Sequence, residues 1–424
     1  MRYKYVIIGN SAAAIGAVEG IRRIDGEGGI LIVSDELHHT YGRPLISYLL
    51  LGRTDRERMK YRPDDFYEKN GVETRLGVAV TKINPEEHTI ETDAGELIAY
   101  EKLLVATGSV PFVPPMEGLE GVRDKFTFQS LDSALALGEA IKPDSHVLII
   151  GAGLIGLKCA EGIRDRVGSI TFVDLAPRVL PSILDEDASE IIKSRLIEEG
   201  ISFRLGDSVE SFFHTENTAV LKESGETIPF DILVLAVGVR PSISLVRDAG
   251  GACGRAITVD SYCKTSLPDI YAAGDCTESR DAVTGDIKVM AILPNAYIQG
   301  ETAGINMAGI NYAFDKLLPM NAIGFFGKHI ISAGSYTGDV FYRNDGVNYK
   351  KLFYSNDRLN GFILIGDKHP KPGETAAYDR AGIYTDILRN GTPLSSLDFE
   401  LIADRPGLMA FGRGIREEYL GGER

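Results

Sequence analysis

Two patterns of apolar spacing alternate along this chain of 424 residues. Short unbroken apolar runs, Tyr5-Val6-Ile7-Ile8, Ile30-Leu31-Ile32-Val33, Val147-Leu148-Ile149-Ile150 and Ile170-Thr171-Phe172-Val173, have the length and β-branched content of strands buried on both faces. Within each pair, a stretch of helical spacing separates the two runs. Strand, helix, strand predicts a parallel pair with a right-handed crossover. Two such units, about 140 residues apart, predict two Rossmann-like α/β dinucleotide-binding domains. From Val78 to Glu101 the pattern becomes alternating around Asp93-Ala94-Gly95, which predicts an antiparallel hairpin insertion. After about residue 316, Ile330–Gly334, Tyr349–Phe353 and Gly361–Ile365 read as strands. A helix over Ala377–Arg389 follows, stopped at Asn390-Gly391, so the last part is α+β.

Composition narrows the function classes. With 45 Lys+Arg against 60 Asp+Glu the net charge is −15, which disfavours a nucleic-acid partner held by phosphate contacts. No apolar run reaches the ~20 residues of a membrane span. Met1-Arg2 leads straight into the first strand, so a cytoplasmic protein is expected. The four cysteines (Cys159, Cys253, Cys263, Cys276) form no C-x-x-C and suggest neither a disulfide framework nor an iron–sulfur or zinc site. His38-His39 lacks further ligands, and no metal is expected.

The candidate chemistry lies in the turns after the first strand of each unit. Gly151-x-Gly153-x-x-Gly156, with Leu154 and Ile155 opening the helix, permits close backbone approach of a pyrophosphate to free N–H groups. Asp174 ends the next strand, placed to bind a ribose 2′-hydroxyl and repel a 2′-phosphate, so NADH is expected over NADPH. The first turn, Gly9-x-Ser11-x-x-Ala14, replaces two glycines by small residues, and Asp35 and Glu36 end its second strand. By itself it is either a second dinucleotide turn or an ordinary α/β turn.

Further segments carry a family resemblance. Leu103-Leu104-Val105-Ala106-Thr107-Gly108-Ser109 is echoed by Asp231 to Pro241, which contains Val237-Gly238. Thr265 to Asp275 ends in Ala272-Ala273-Gly274-Asp275, and Tyr41-x-Arg43-Pro44 lies upstream. In this order and spacing, over residues 1 to about 335, the chain resembles the two-dinucleotide-binding-domain flavoproteins: rubredoxin reductases, the flavin part of NADH-dependent nitrite reductase, and NADH oxidases. The resemblance implies an FAD domain in two pieces, 1–111 and 240–316, an inserted NADH domain, 112–239, and a C-terminal domain, 317–424. It places Gly9, Ser11 and Ala14 at the FAD pyrophosphate and Asp35 or Glu36 at the adenosine ribose. Arg43 and Pro44 would cover the dinucleotide, Val80 would meet adenine, and Ala106, Thr107, Gly108 and Gly274 would line the same groove. Asp275 would bond the ribityl chain, its alternative being a helix N-cap before Cys276-Thr277. A helix starting at Leu293, with Pro294 and Asn295 in its first turn, would point its positive end at the flavin.

Two departures from the family pattern stand out. Where the family writes Arg-Pro-x-Leu-Ser-Lys, this chain has Arg43-Pro44-Leu45-Ile46-Ser47-Tyr48, and where the family has glutamate after the second turn, this chain has Lys158. Lys158 and Tyr48 are therefore candidate catalytic residues, with Lys158 supplying the charge lost from position 48; the alternative is a lysine facing solvent. No cysteine lies in Tyr41–Leu49, which disfavours a disulfide reductase. The expected reaction is hydride transfer from NADH to FAD, then electron delivery to rubredoxin, ferredoxin or a partner redox subunit. An NADH oxidase making hydrogen peroxide and a non-catalytic flavoprotein subunit are the alternatives. A basic group, Lys350, Lys351, Lys368, His369 and Lys371, is either a docking patch for an acidic carrier or a solvated face. Phe325 and Phe326 are either a flavin wall or core, and the resemblance implies a homodimer contact for the last domain.

Overall fold

The paired apolar runs form parallel sheets, as their spacing predicts. The computed structural model describes residues 2–213, 215–314, 316–369, 376–404, 406–412 and 416. In the first sheet Val72–Leu76, Ile30–Ser34, Arg2–Ile8 and Leu97–Val105 lie side by side in parallel, and Ile270–Ala272 adds to the far side of Leu103–Val105. The sheet thus draws strands from both sides of the second one. That second sheet runs Ile201–Leu205, Ser169–Asp174, His146–Ile150, Ile232–Leu235, Lys125–Thr127, all parallel. Between the sheets, Ser109–Pro111 pairs antiparallel with Val239–Pro241 where the chain crosses out and back.

The alternating segment differs from the expected hairpin. It is a three-stranded meander, Val80–Asn84, Thr89–Thr92 and Leu97–Val105, with a second turn at His88, whose φ is +52°. Its last strand is antiparallel at the start and parallel at the end, because Leu103–Val105 is apolar on both faces and continues into the buried sheet.

The C-terminal sheet is antiparallel, in the order Met320–Phe325, Lys328–Gly334, Arg358–Asp367, Tyr349–Ser355, Asp339–Asn344. The helix Ala381–Asn390 packs on it and ends at Gly391 with φ +58°, the left-handed conformation that glycine adopts without strain. It begins four residues later than the apolar spacing suggests.

The three parts share one core. A single apolar cluster takes in Ile46 and Leu50, then Ile149 and Leu157, then Phe325, Tyr349 and Ile365. Polar contacts rivet the C-terminal sheet to the second one. Tyr336 donates to the Ile183 carbonyl at 2.5 Å, Arg195 Nε donates to the Phe326 carbonyl at 3.0 Å, and Lys351 pairs with Asp185 at 2.6 Å. Among the described residues no helix is long and apolar enough to cross a membrane.

Candidate functional site

The two turns are built alike. Gly9 N–H donates to Val33 O and Gly151 N–H donates to Val173 O, both at 2.8 Å. Ala106 N–H reaches Ile8 O and Ala236 N–H reaches Ile150 O, again at 2.8 Å. At both glycines φ is positive (+112° and +106°), and a Cβ would stand within 3.0 Å of the carbonyl of Ala106 or Ala236. Each first glycine is therefore required by the crossing of two strand ends. This is the structural content of the Ala106-Thr107-Gly108 and Val237-Gly238 motifs: each follows the strand that crowds its turn. Thr107 Oγ1 then donates to Ser242 O at 2.8 Å, and Phe112 N–H donates to Gly238 O at 2.9 Å, which ties both motifs to the crossing ribbon.

Helices Ala12–Arg22 and Leu154–Ile163 follow, with Ser11 and Gly153 at their N-caps. Among the described residues neither receives a side-chain cap, so the first-turn N–H groups remain available to an anion. A Cβ on Gly153 would meet nothing within 4 Å, so that position opens onto space. Ala14 is fully buried against the first sheet, and Leu154 and Ile155 are half-buried at the start of the second helix. Asp174 is half-buried at its strand end, accepting from Ala152 N–H at 2.6 Å and Ala176 N–H at 2.7 Å. Its carboxylate therefore sits directly on the second turn.

At the first turn the two acids separate. Asp35 is exposed, whereas Glu36 joins Asn10, Ser11, His39, Tyr41 and Arg43 around a small cavity. Glu36 accepts from Tyr41 Oη at 2.7 Å and from Arg43. Arg43 also donates to Gln129 O at 3.2 Å, and Pro44 follows it in a short 3-10 turn. Burial works against the Arg43 charge, but Tyr41, Glu36 and Asp275 outweigh it and raise its pKa. Val80 is half-buried at the start of the meander, packed against the core on that side of the first sheet. Buried polar atoms without a hydrogen-bond partner among the described residues, His39 Nε2, Thr40 Oγ1 and Gln129 Oε1, accompany this turn. Uncapped N–H groups and orphaned polar atoms fit a dinucleotide.

Gly274 packs between Ala13 and Ala296, which brings the Gly274-Asp275 turn against the starts of two helices. Residues 274–277 form a turn with no helix after Asp275, so the capping alternative is not realised. Ser109 Oγ donates to Asp275 at 3.3 Å. Sequence reasoning missed the residue that holds this turn. Buried Gln299 accepts from Gly274 N–H at 2.9 Å and donates to Thr277 and Ser279. Nothing in the local pattern distinguishes Gln299 from a solvent-facing helix residue. The helix Leu293–Met307 starts where expected, with Pro294 in its first turn and no acid there. The Asn295 side chain, however, is buried and donates to Leu318 O at 3.1 Å, anchoring the helix from behind.

Burial raises the Asp275 carboxyl above its ordinary 3.8, with Ser109 and Arg43 opposing. The folded state thus keeps this proton to higher pH than the unfolded chain. Ionisation costs stability, none below pH 3.8 and all of it above the raised pKa. Asp275→Asn is therefore expected to raise the melting temperature of the cofactor-free protein at pH 7 more than at pH 3.5. Equal shifts at both pH values would contradict this.

Lys158 does not face solvent. Its Nζ lies 4.3 Å from the Tyr48 ring centroid and 5.5 Å from that of Phe325, donating to Glu161 and, at 3.2 Å, to Gly324 O. Burial, opposed by Glu161 and aided by Arg53, leaves its ammonium below the ordinary pKa. Glu161, one turn after Lys158 on the same helix, supplies a carboxylate beside it. Phe325 is core, and Phe326 sits in the following turn with φ +43°. The basic group is dispersed rather than a patch. Lys350 is buried against Ala403 O and Asp404 O, Lys351 is paired with Asp185 and Asp187, and Lys368 lies 5.6 Å from the Tyr48 ring. His369 is exposed beside Lys368, and Lys371 lies outside the described residues.

No cysteine lies in Tyr41–Leu49, and Cys159, which directly follows Lys158, is fully buried in the apolar core. Cys159, Cys263 and Cys276 are buried, and burial pushes the Cys276 thiol up to about 11. Cys253 is half-buried. His38 bonds Asp132 at 2.7 Å, and His39 bonds Thr40 O at 3.1 Å. No metal-compatible group of three or more His, Cys, Asp or Glu occurs among the described residues.

Known proteins share this architecture. The chain is 32% identical over 425 residues to the epsilon subunit of NADH-dependent phenylglyoxylate dehydrogenase from Aromatoleum evansii, covering 98% of this chain and 97% of that one. It is 32% identical over 324 residues to an NADH oxidase of Methanocaldococcus jannaschii, covering 74% and 72% of the two chains. The structure of an NAD-dependent persulfide reductase from A. fulgidus superposes with a TM-score of 0.83 at 26% identity, over 94% of this chain and 79% of that one. Residues 3–300, which hold both turns and the Gly274-Asp275 segment, match the pyridine nucleotide-disulphide oxidoreductase family. The chain therefore belongs to this family, as a flavin-dependent NAD(P)H oxidoreductase.

Proposed function

We propose that this protein is an NADH-dependent FAD oxidoreductase that exchanges electrons with a partner redox protein, using no thiol of its own. The observation that carries the proposal is the pair of matching turns. Each ends in an uncapped helix N-terminus, and the Tyr41–Leu49 segment beside them offers Tyr48 rather than a cysteine.

FAD is assigned to the first sheet, residues 1–111 and 240–316, and NADH to residues 112–239, with 317–424 as the domain that closes the site. Gly9, Ser11 and Ala14 hold the FAD pyrophosphate, Glu36 the ribose, and Arg43 with Pro44 the outer face. Asp275, set by Gln299, holds the ribityl side. The N-terminus of the Leu293–Met307 helix stabilises negative charge near it. Gly151, Gly153 and the first N–H groups of the next helix hold the NADH pyrophosphate. Asp174 takes the ribose and disfavours a 2′-phosphate. The chemistry supplied by bound FAD is hydride acceptance at N5 and release of electrons to an acceptor. Lys158, held on Tyr48, sets the charge beside the transfer, and positioning supplies much of the acceleration.

Likeness along nearly the whole chain to a protein named as a subunit of an NADH-dependent dehydrogenase supports a protein acceptor. Reduction by NADH is tested anaerobically, and the reduced protein is then mixed with each acceptor or with oxygen. FAD-loaded protein should be bleached by NADH and reoxidised by rubredoxin, ferredoxin or a partner redox subunit faster than by oxygen. A colourless chain that FAD cannot restore, or a flavin that NADH leaves yellow, overturns the proposal. Peroxide formation outpacing every protein acceptor would move the assignment to an NADH oxidase.

A further inference from the structure

Three separated parts of the chain meet around one carboxylate. Glu161 is on the helix Leu154–Ile163, with its side chain only 7% exposed. One oxygen accepts from Lys158 Nζ, and the other accepts from Phe326 N–H at 3.1 Å, in the turn between Met320–Phe325 and Lys328–Gly334. Lys158 in turn lies over Tyr48 of the helix Ile46–Leu50 and donates to Gly324 O. Phe326 has a positive φ, which a bulky residue adopts only where surrounding contacts hold it. Arg195 Nε on the Phe326 carbonyl and Glu161 on its N–H supply those contacts from opposite sides.

We propose that Glu161 is a positioning residue of the site: it keeps the Lys158 ammonium charged and seated on Tyr48, and ties the Phe326 turn to the same helix. This rests on the role given above to Lys158 and Tyr48. A buried ammonium without a partner sheds its proton or turns toward solvent. Among the described residues, the charged and titratable groups around Lys158 are Glu161 from its own helix, Tyr48 and Arg53 from the Ile46–Leu50 side, Lys368 across the Tyr48 ring, and His329, which neighbours Gly324 beside Tyr48. Of these, Glu161 is the carboxylate. Arg53 is a cation and opposes the charge on Lys158.

The sign of the pH effect follows. Removing Glu161 removes the contribution that raises the Lys158 pKa, so the ammonium is lost at lower pH. In Glu161→Gln the amide oxygen can still accept from Phe326 N–H while the charge is gone. In the FAD-loaded protein, the 13C NMR titration of Lys158, assigned by loss of its signal in Lys158→Arg, is expected to move down by about one pH unit or more. The alkaline limb of flavin bleaching by NADH should move by the same amount. The double variant Glu161→Gln/Lys158→Met should be no slower than Lys158→Met alone. An unmoved Lys158 titration overturns the proposal, and so do rate losses that multiply in the double variant. If Glu161→Gln fails to fold, Lys158→Arg decides: a permanent cation should abolish the alkaline limb, and a limb that persists overturns the proposal. A wild-type flavin that NADH leaves yellow removes the functional reading, while the NMR titration still reports whether Glu161 holds the lysine.

Discussion

Replacing Gly300 by leucine is expected to unfold the first sheet's half of the protein, not merely to slow it. The helices Ala12–Arg22 and Leu293–Met307 touch backbone to backbone through glycines four residues apart on each. A Cβ on Gly16 would fall within 3.0 Å of Tyr297 O, on Gly20 within 3.0 Å of Glu301 O, on Gly300 within 3.0 Å of Ala13 O, and on Gly304 within 3.0 Å of Ala17 O. The obstructing atoms are main chain, so no rotamer change relieves them. Overpacking a tight core usually costs about 1–3 kcal/mol. Here the helices must separate along their length, so the loss should reach or exceed the upper end of that range. The same crossing sets the start of Leu293–Met307 against the first turn, so flavin retention should fail together with stability. Thermal melting and flavin content of the purified variant check this. Gly382→Ala is the control. Gly382 is exposed in the helix Ala381–Asn390 with nothing within 4 Å of its added Cβ, and alanine there should stabilise by about 0.5–1 kcal/mol. A Gly300→Leu protein that melts like wild type would mean that the two helices can slide apart freely.

Gly153→Val should have the opposite character: an intact fold with NADH recognition lost. Its neighbour Gly151 has φ +106° and lies against Ala236 O, so substitution there damages the fold and binding together. Gly153 has φ −84° in an extended conformation, and an added Cβ meets no protein atom within 4 Å. The protein therefore accommodates valine, and whatever is displaced must come from outside the chain. A pyrophosphate seated on the helix N-terminus needs that space. The expected result is a yellow protein with a melting temperature close to wild type and NADH affinity lower by about 100-fold, or ~2.7 kcal/mol. Titration of flavin bleaching against NADH concentration, beside a melting curve, measures both. Unchanged affinity would remove the NADH assignment from this turn while leaving the fold untouched.

What was legible in the sequence was local. Strand–turn–helix units announce themselves because a strand buried on both faces must be apolar throughout, and because a backbone that passes close to another strand end needs glycine, as at Gly9 and Gly151. The glycine spacing at Gly16, Gly20, Gly300 and Gly304 was also present to be read, but pairing two helices nearly 280 residues apart requires knowing that they touch. Other readings needed the folded chain because the chemistry is shared between distant segments. Asp35 and Glu36 are adjacent in sequence, yet only Glu36 turns toward Tyr41 and Arg43. The basic residues Lys350, Lys351 and Lys368 form a cluster in sequence, but strand alternation and burial send them to different partners.

From its sequence alone this protein is determined to be a chain with a duplicated strand–turn–helix unit and no thiol in Tyr41–Leu49, because those facts reside in short-range pattern and residue identity. The tertiary structure decided the surroundings of Lys158. Its partners Tyr48, Glu161 and Gly324 come from three regions of the chain, and only packing into one core brings a buried cation, an aromatic face and a carboxylate together.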